Sequence, residues 1–329
     1  MLKVIPVEEA VGLPLAHDIT EIVPGGHKGP VFRRGHIVRK EDIAKLLDVG
    51  KRHLYVMELE KDELHEEDAA RRLASAAAGP NLKLTEPSEG RVNLVAAIDG
   101  LLKVDAELLF RFNALGDLIL ATLRGDRHVK QGTVVAGTRT IPVVVKEELV
   151  RKAEALCAEK PIVALLPMPR RRVHLIVTGS EVFSGRIKDG FGPVVTDKVG
   201  ELGSRVESIK LAPDDPEVIA GHIKEAKAAG ADVILVSGGM SVDPDDRTPE
   251  GIRLSGARVE VHGFPVLPGS MFLMAYLDET PVLGLSGCVL HDRVTAFDIL
   301  LPRLLAGEKI TRADILAMGH GGLQQKHDH

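Results

Sequence analysis

Three segments of the chain concentrate residues suited to holding a phosphorylated ligand. They are TGSEVFSGRIKDGFGP (178–193), SGGMSVDPDDRTP (237–249) and SGCVLHD (286–292). Gly179, Gly238, Gly239 and Gly287 let the backbone approach a ligand closely and reach positive φ. Successive N–H groups exposed in this way cradle anions. Hydroxyls on Thr178, Ser180, Ser237, Ser241 and Ser286 add donors. The second segment is also acidic, with Asp243, Asp245 and Asp246, and Glu181 and Asp189 extend that set from the first. Carboxylates beside a phosphate repel it, but a bound Mg2+ reverses that logic by taking carboxylate and phosphate oxygens together. Singly, each segment is ordinary, since Gly-Gly is common after strands and loop aspartates often only cap helices. Three in order on one sheet favour a site.

The elements that must position these loops are short apolar runs. VHLIVT (173–178), ADVILVS (231–237) and PVLGLS (281–286) each run directly into one loop and read as strands, the first two as buried ones. RVESIKL (205–211) alternates, and RVEVHG and FLMAYL are further strand candidates. Helices are expected over 193–202, 214–229, 248–254 and 290–305. Asp214 or Asp215 suits the cap of the second with Pro216 in its first turn, and Thr248 suits the cap of the third with Pro249 as its first residue. Strand–helix alternation of this kind implies a parallel sheet with helices on both faces. Ligands of such sheets sit outside the carboxyl ends of the strands, where the three loops would converge. Helices starting near Pro193, Thr248 and Leu290 would aim positive dipole ends at the same region. The expected fold class is α/β: a three-layer sandwich with a mostly parallel sheet in the C-terminal half, preceded by a smaller mixed α+β, β-rich N-terminal region.

The N-terminal half is less patterned. Val31 to Val56 reads strand, turn, helix, strand, with Ile43, Leu46 and Leu47 at helical spacing and Gly50 as a stop. A helix is expected over 61–80, a strand over 92–98, helix then strand over 101–123, two extended segments around a GTRT turn (137–140), and a helix over 146–158. The resulting division is 1–60, a small α+β region; 61–169, a mixed α/β region; 170–310, the ligand-binding domain; and 311–329, a flexible tail. Within that tail, the spacing of His320, His327 and His329 fits no metal motif. Arg170, Arg171 and Arg172 read as a solvated linker rather than a phosphate-steering patch.

Composition narrows the function classes. Of 329 residues, 44% are hydrophobic and 27% charged, which is globular. Aromatics are 3% with no Trp, so base stacking is poorly served and cores must use Val, Leu, Ile and Ala. A net charge of −5 offers no basic excess for polyanions, so no nucleic-acid partner is expected. Cys157 and Cys288 make neither a disulfide framework nor a metal pair, which suits a reducing compartment. MLKVIPVEEA is not patterned as a signal peptide, and no run approaches the roughly 20 apolar residues that span a membrane. A cytoplasmic protein without a membrane partner is expected.

The loop residues resemble a known family. TGSEV (178–182), SGGMSV (237–242) with Asp246, Thr248 and Pro249, LPGS (267–270) and GLSG (284–287) are similar to the molybdenum-cofactor biosynthesis domain of MogA/MoaB-type adenylyltransferases, MoeA-type molybdotransferases and gephyrin. The resemblance implies molybdopterin or its adenylate as ligand, with Mg2+. It implies a pterin-phosphate pocket lined by Thr178, Gly179, Ser180, Glu181, Ser237, Gly238, Gly239, Met240, Ser241, Pro268, Gly269, Ser286 and Gly287. Asp246, Glu181 and Asp189 take the catalytic positions, with Asp243 and Asp246 toward the metal. A homo-oligomer (dimer or trimer), and a molybdoenzyme or other biosynthesis proteins as partners, follow from the same likeness. Departures fall near the chemistry: Ser180 for the frequent Asp, Asp243 for a Gly, Leu267 and Ser270 where lysines are frequent, and Cys288 and Val289 for Asn and Pro. Residues 6–18 and 31–56 are loosely similar to molybdotransferases, without their DNSAMDGY signature. The resemblance leaves a transferase, a non-enzymatic cofactor carrier or sensor, and a CinA-type nucleotide pyrophosphatase as readings. VTGSEVFSG and SGGMSVDPDD match the last in part.

Overall fold

The computed structural model describes residues 2–22, 28–57, 59–241 and 243–324. His327 and His329 of the expected tail, and Val242 of the second loop, lie outside the described residues. The chain divides into two compact units. The first comprises Met1–Ile98, Leu102–Gly125 and Lys130–Leu165, and the second Asp99–Leu101, Asp126–Val129 and Leu166–His329.

In the first unit, Leu2–Pro6 pairs antiparallel with His53–Met57, and Ile19–Ile22 with Lys28–Phe32. Val7, Leu15, Ile19, Val38, Leu46 and Leu54 close a small core beneath the helix Asp42–Asp48. A four-stranded antiparallel sheet follows, in the order Leu82–Leu84, Arg91–Ala96, Val134–Thr140, Leu118–Thr122. The helix Glu66–Ala77 buries Ala69, Ala70, Leu73, Ala74 and Ala77. Its cap is His65, whose Nδ1 accepts the Glu67 N–H at 3.2 Å. GTRT is no turn. Gly137 to Thr140 continue a central strand flanked on both sides, with Thr138 and Thr140 fully buried. Two β-branched residues at alternate positions fit a pleated interior better than a reversal.

The second unit carries the expected sheet. Its strands are β1 (Arg172–Thr178), β2 (Arg205–Ala212), β3 (Val233–Ser237), β4 (Arg258–His262), β5 (Leu273–Leu277) and β6 (Thr280–Leu285). The order is β2-β1-β3-β6-β5-β4. β2, β1, β3 and β6 run parallel, while β5 runs antiparallel between β6 and the edge strand β4. The helices are α1 (Ser180–Phe183), α2 (Phe191–Glu201), α3 (Pro216–Ala228), α4 (Thr248–Leu254), α5 (Ala296–Leu305) and α6 (Arg312–Ala317). Alternation along β1 divides the packing. Val173, Leu175 and Val177 join a core with α2 and α5, whereas Ile176 joins one with Ile219 and Ile223 of α3 and Ile252 of α4. Both faces are covered, so β1, β3 and β6 read as nearly continuous apolar runs.

Two helix starts and one helix cap differ from expectation. Asp189 accepts the N–H groups of Phe191 and Gly192, so α2 begins two residues before Pro193. Residues 287–290 form a single 3₁₀ turn, and α5 starts at Ala296 because Thr295 and Asp298 form a capping box there. Thr248 is the first residue of α4, not its cap, and its hydroxyl is used elsewhere. Residues 312–317, part of the expected tail, are helical behind a second capping box made by Thr311 and Asp314.

Candidate functional site

The order β2-β1-β3 sets the place. The connection leaving β1 runs to β2 on one side, while the chain leaving β3 goes to the opposite half of the sheet. Such a switch point opens a crevice at the carboxyl ends of the strands. Val177 is in register with Ser237, and Ser237 with Leu285, so the three expected loops spring from adjacent strand ends.

Their bases are bonded together. The Thr178 hydroxyl donates to the Ser237 carbonyl at 3.0 Å and lies 2.9 Å from the Thr248 hydroxyl. The Gly238 N–H reaches the Leu285 carbonyl at 3.3 Å. Gly238 has φ +93°, and a Cβ there would stand 2.5 Å from the Thr178 carbonyl oxygen. Thr178 and Thr248 are buried, so they form the floor of the crevice rather than its lining. The Ser237 hydroxyl is wholly buried and has no hydrogen-bond partner among the described residues. Orphaned buried polar groups are scarce in native proteins and ask for an explanation.

Above the floor the acidic residues serve their own loops. Asp246 Oδ2 accepts the Ser241 N–H at 2.8 Å, and Asp243 Oδ1 accepts the Asp245 N–H at 3.0 Å. Asp214 Oδ2 accepts both the N–H and the hydroxyl of Ser180, at 2.8 and 2.9 Å. Of the two candidate caps for α3, Asp215 does the capping, accepting the Glu217 N–H at 2.9 Å. Asp214 is the residue missed by sequence reasoning. Its signal was the doubled aspartate before Pro216, of which only one can cap a helix.

Residues 174–306 match a family model described as "Probable molybdopterin binding domain". By that match, residues 174–306 form a domain similar to those of the molybdopterin-binding family. Residues 4–58 match a second model, "Domain of unknown function (DUF8806)". A molybdopterin molybdenumtransferase of Synechococcus elongatus is 28% identical over 204 residues, 58% of this chain and 48% of the relative. A CinA-like protein of Mycolicibacterium vanbaalenii is 34% identical over 120 residues, 34% of this chain and 28% of the relative. The chain thus spans about half the length of the first and under a third of the second. Among solved structures, the molybdopterin biosynthesis enzyme MoaB of Thermus thermophilus is 24% identical, with a TM-score of 0.37 over 42% of this chain and 98% of that one. The Mog protein of Mycobacterium ulcerans is 22% identical, with a TM-score of 0.35 over 41% and 94%.

The remaining expected residues of the molybdopterin-binding domain are less uniformly placed. Gly179 is buried at φ +139°, with the exposed Glu181 side chain folded back so that its Oε1 would stand 3.3 Å from a Cβ at Gly179. Gly239, at φ +55°, abuts the Thr248 hydroxyl. Met240 buries its side chain against Gly284 in the α3/α4 core, which leaves only its backbone for a ligand. Pro268 and Gly269 pack on the start of α5: the Ala296 N–H donates to the Pro268 carbonyl at 3.2 Å, and a Cβ at Gly269 would stand 2.6 Å from the Ala296 Cβ. Ser286 is half-buried with its hydroxyl 3.2 Å from Cys288 Sγ, and Gly287 is open. Burial pushes the Cys288 thiol above its usual range, which makes it a poor nucleophile at neutral pH. No group of three or more His, Cys, Asp or Glu suited to a metal occurs among the described residues. Asp243 and Asp246, the pair expected toward a metal, belong to no such group. No helix among the described residues is long and apolar enough to cross a membrane.

Proposed function

We propose that the chain binds molybdopterin or its adenylate in the crevice between β1 and β3 and acts in making or handling the molybdenum cofactor. The observation that carries this reading is the rooting of three glycine- and hydroxyl-bearing loops on adjacent parallel strand ends at the switch point. In the proposed complex the pterin phosphate lies over the Gly238–Gly239 turn. Asp246 and Asp243 would hold a Mg2+ beside it, and Glu181 and Asp189 would flank it from the first loop. When bound, Mg2+ would neutralise phosphate charge, as in phosphoryl transfer generally. The chain's own part is to orient the phosphate and hold the loops, and the activity proposed is a Mg2+-dependent transferase. A dimer or trimer, and hand-over to a molybdoenzyme or another biosynthesis protein, complete the proposal.

A second reading, a carrier without turnover, is favoured by one observation. The N–H groups of Ser180, Ser241 and Gly192 already hold carboxylates of the chain, which leaves fewer donors to stabilise a transferred group. The test is mass analysis of pterin and nucleotide retained by the purified protein, with and without Mg2+, beside Asp246→Ala. Molybdopterin in the wild type and much less in the variant is the expected result. Two equally empty samples would remove the site assignment. ATP-dependent adenylation then separates transferase from carrier, and hydrolysis of ADP-ribose would instead point to the pyrophosphatase reading raised by the CinA-like relatives.

A further inference from the structure

The bonding at the crevice floor has a direction. Thr178 has one hydroxyl proton, and its geometry commits that proton to the Ser237 carbonyl at 3.0 Å, since a carbonyl can only accept. The 2.9 Å contact between Thr178 and Thr248 must then run the other way, with Thr248 donating. Both residues are closed to solvent, at 4% and 0% exposure, so water cannot stand in for either partner. The relay therefore reads Thr248 to Thr178 to the Ser237 carbonyl, and it links the start of α4 to the ends of β1 and β3.

This relay encloses the Gly238–Gly239 turn. A Cβ at Gly238 would stand 2.5 Å from the Thr178 carbonyl and 2.8 Å from its hydroxyl, and one at Gly239 would stand 2.7 Å from the Thr248 hydroxyl. The Thr248 N–H also donates to the Gly239 carbonyl at 3.2 Å. The turn thus lies flush against the two hydroxyls, and its shape depends on where they are.

We propose that Thr178 and Thr248 are positioning residues whose hydroxyl relay fixes the Gly238–Gly239 turn in the form that receives the ligand's phosphate. Neither touches the ligand, and neither hydroxyl has a proton to spare for it. The proposal rests on the molybdopterin-binding reading, which its test examines separately. Thr→Val keeps the shape of the side chain and removes the proton, while Thr→Ser keeps the proton.

The experiment measures molybdopterin affinity by pterin fluorescence for Thr178→Val, Thr248→Val, the double variant and both Thr→Ser variants, with the melting temperature of each. Amide exchange at Gly238 and Gly239 is followed without ligand. Thr248→Val is expected to bind about tenfold more weakly, the scale of one buried hydrogen bond, and Thr178→Val, which removes both bonds of the relay, at least as weakly. Each serine variant should fall within about twofold of wild type, and the double variant should be no weaker than Thr178→Val alone, because that substitution already removes both bonds. Faster exchange at the two glycine amides should accompany each valine substitution. Wild-type affinity in the valine variants, additive losses in the double variant, or serine variants as weak as valine ones would each overturn the proposal. If a valine variant does not fold, Gly239→Ala displaces the same Thr248 hydroxyl and must reproduce the loss. Should the wild type bind no molybdopterin, the functional reading fails, and the exchange measurement alone decides the relay: unchanged exchange overturns it.

Discussion

Substituting alanine at Gly238 and at Gly287 separates two glycines that look alike in sequence. Gly238 has φ +93°, and a new Cβ would meet the Thr178 carbonyl oxygen at 2.5 Å. That oxygen is backbone at a strand end, so no rotamer change relieves the contact. The positive φ costs an ordinary residue on the order of 1–3 kcal/mol. Overpacking against a fixed neighbour adds about 1–3 kcal/mol more. Stiffening of the unfolded chain offsets roughly 0.4–1 kcal/mol. The net is a loss of about 3 kcal/mol, and for a domain of this size that lowers the melting temperature by about 6–12 °C. A Cβ at Gly287 meets nothing within 4 Å, so Gly287→Ala should stay within about 0.5 kcal/mol of wild type. Calorimetry reads both, with amide exchange along Val233–Ser237 confirming that the second unit is the part affected. A Gly238→Ala protein melting within about 2 °C of wild type, or a Gly287→Ala protein falling as far as Gly238→Ala, would refute the reasoning.

Two further outcomes test other parts of the molecule. His65 Nε2 lies 2.6 Å from the Ala16 carbonyl while Nδ1 accepts the Glu67 N–H, so the ring is neutral with its proton on Nε2. Burial, aided by Arg34, lowers its pKa from the ordinary 6.5. Its stabilising share is therefore complete above pH 6.5 and is lost as pH falls from there toward the lowered value. Glu66, whose pKa burial raises, works in the opposite sense on acidification, so the readout is the difference between wild type and His65→Gln in denaturant titrations across that window. The wild type should lose more stability, and parallel curves would exclude a role for His65. Arg303 is 8% exposed and bonds Glu308 at 2.7 Å and Asp314 at 3.1 Å. Arg303→Ala should cost about 3 kcal/mol, the low end for a broken buried pair because both acids are partly solvated. Arg303→Lys should recover only part in the same denaturation assay, since one ammonium cannot replace the guanidinium fork.

What could be read in advance depended on whether a pattern had one physical cause. β1, β3 and β6 were legible because burial on both faces allows little besides apolar residues until the loop begins. The loop positions followed from the strand ends. GTRT was misread because Gly and Thr suit turns locally, and only the flanking strands Arg91–Ala96 and Leu118–Thr122 make it a sheet interior. The start of α5 was misplaced because Leu290 continues an apolar pattern, whereas the decisive signal was Thr295 with Asp298 three residues on. Thr248 looked like a cap because threonine usually is one there. Its partner, Thr178, is 70 residues away in sequence and could not be paired with it by local rules.

The carboxylates of the site carry the same lesson into electrostatics. From sequence, each loop N–H counted as an open donor for an anion. In the fold, Asp214, Asp246 and Asp189 each occupy such donors. A carboxylate on a backbone N–H holds a loop in an anion-receiving shape before any ligand arrives. It also leaves its negative charge beside the incoming phosphate. Cations of the second loop and of α2 are already committed, Arg247 to Glu250 at 2.9 Å and Lys198 to Asp298. The lysines frequent beside the Pro-Gly of molybdotransferases are here Leu267 and Ser270. On the proposed reading, then, the order of the loops comes from the chain, and the attraction for phosphate would come from Arg186 and Lys188 of the first loop together with a divalent cation that the same carboxylates recruit. A site built this way would be shaped in advance, and its affinity for molybdopterin would rise with Mg2+.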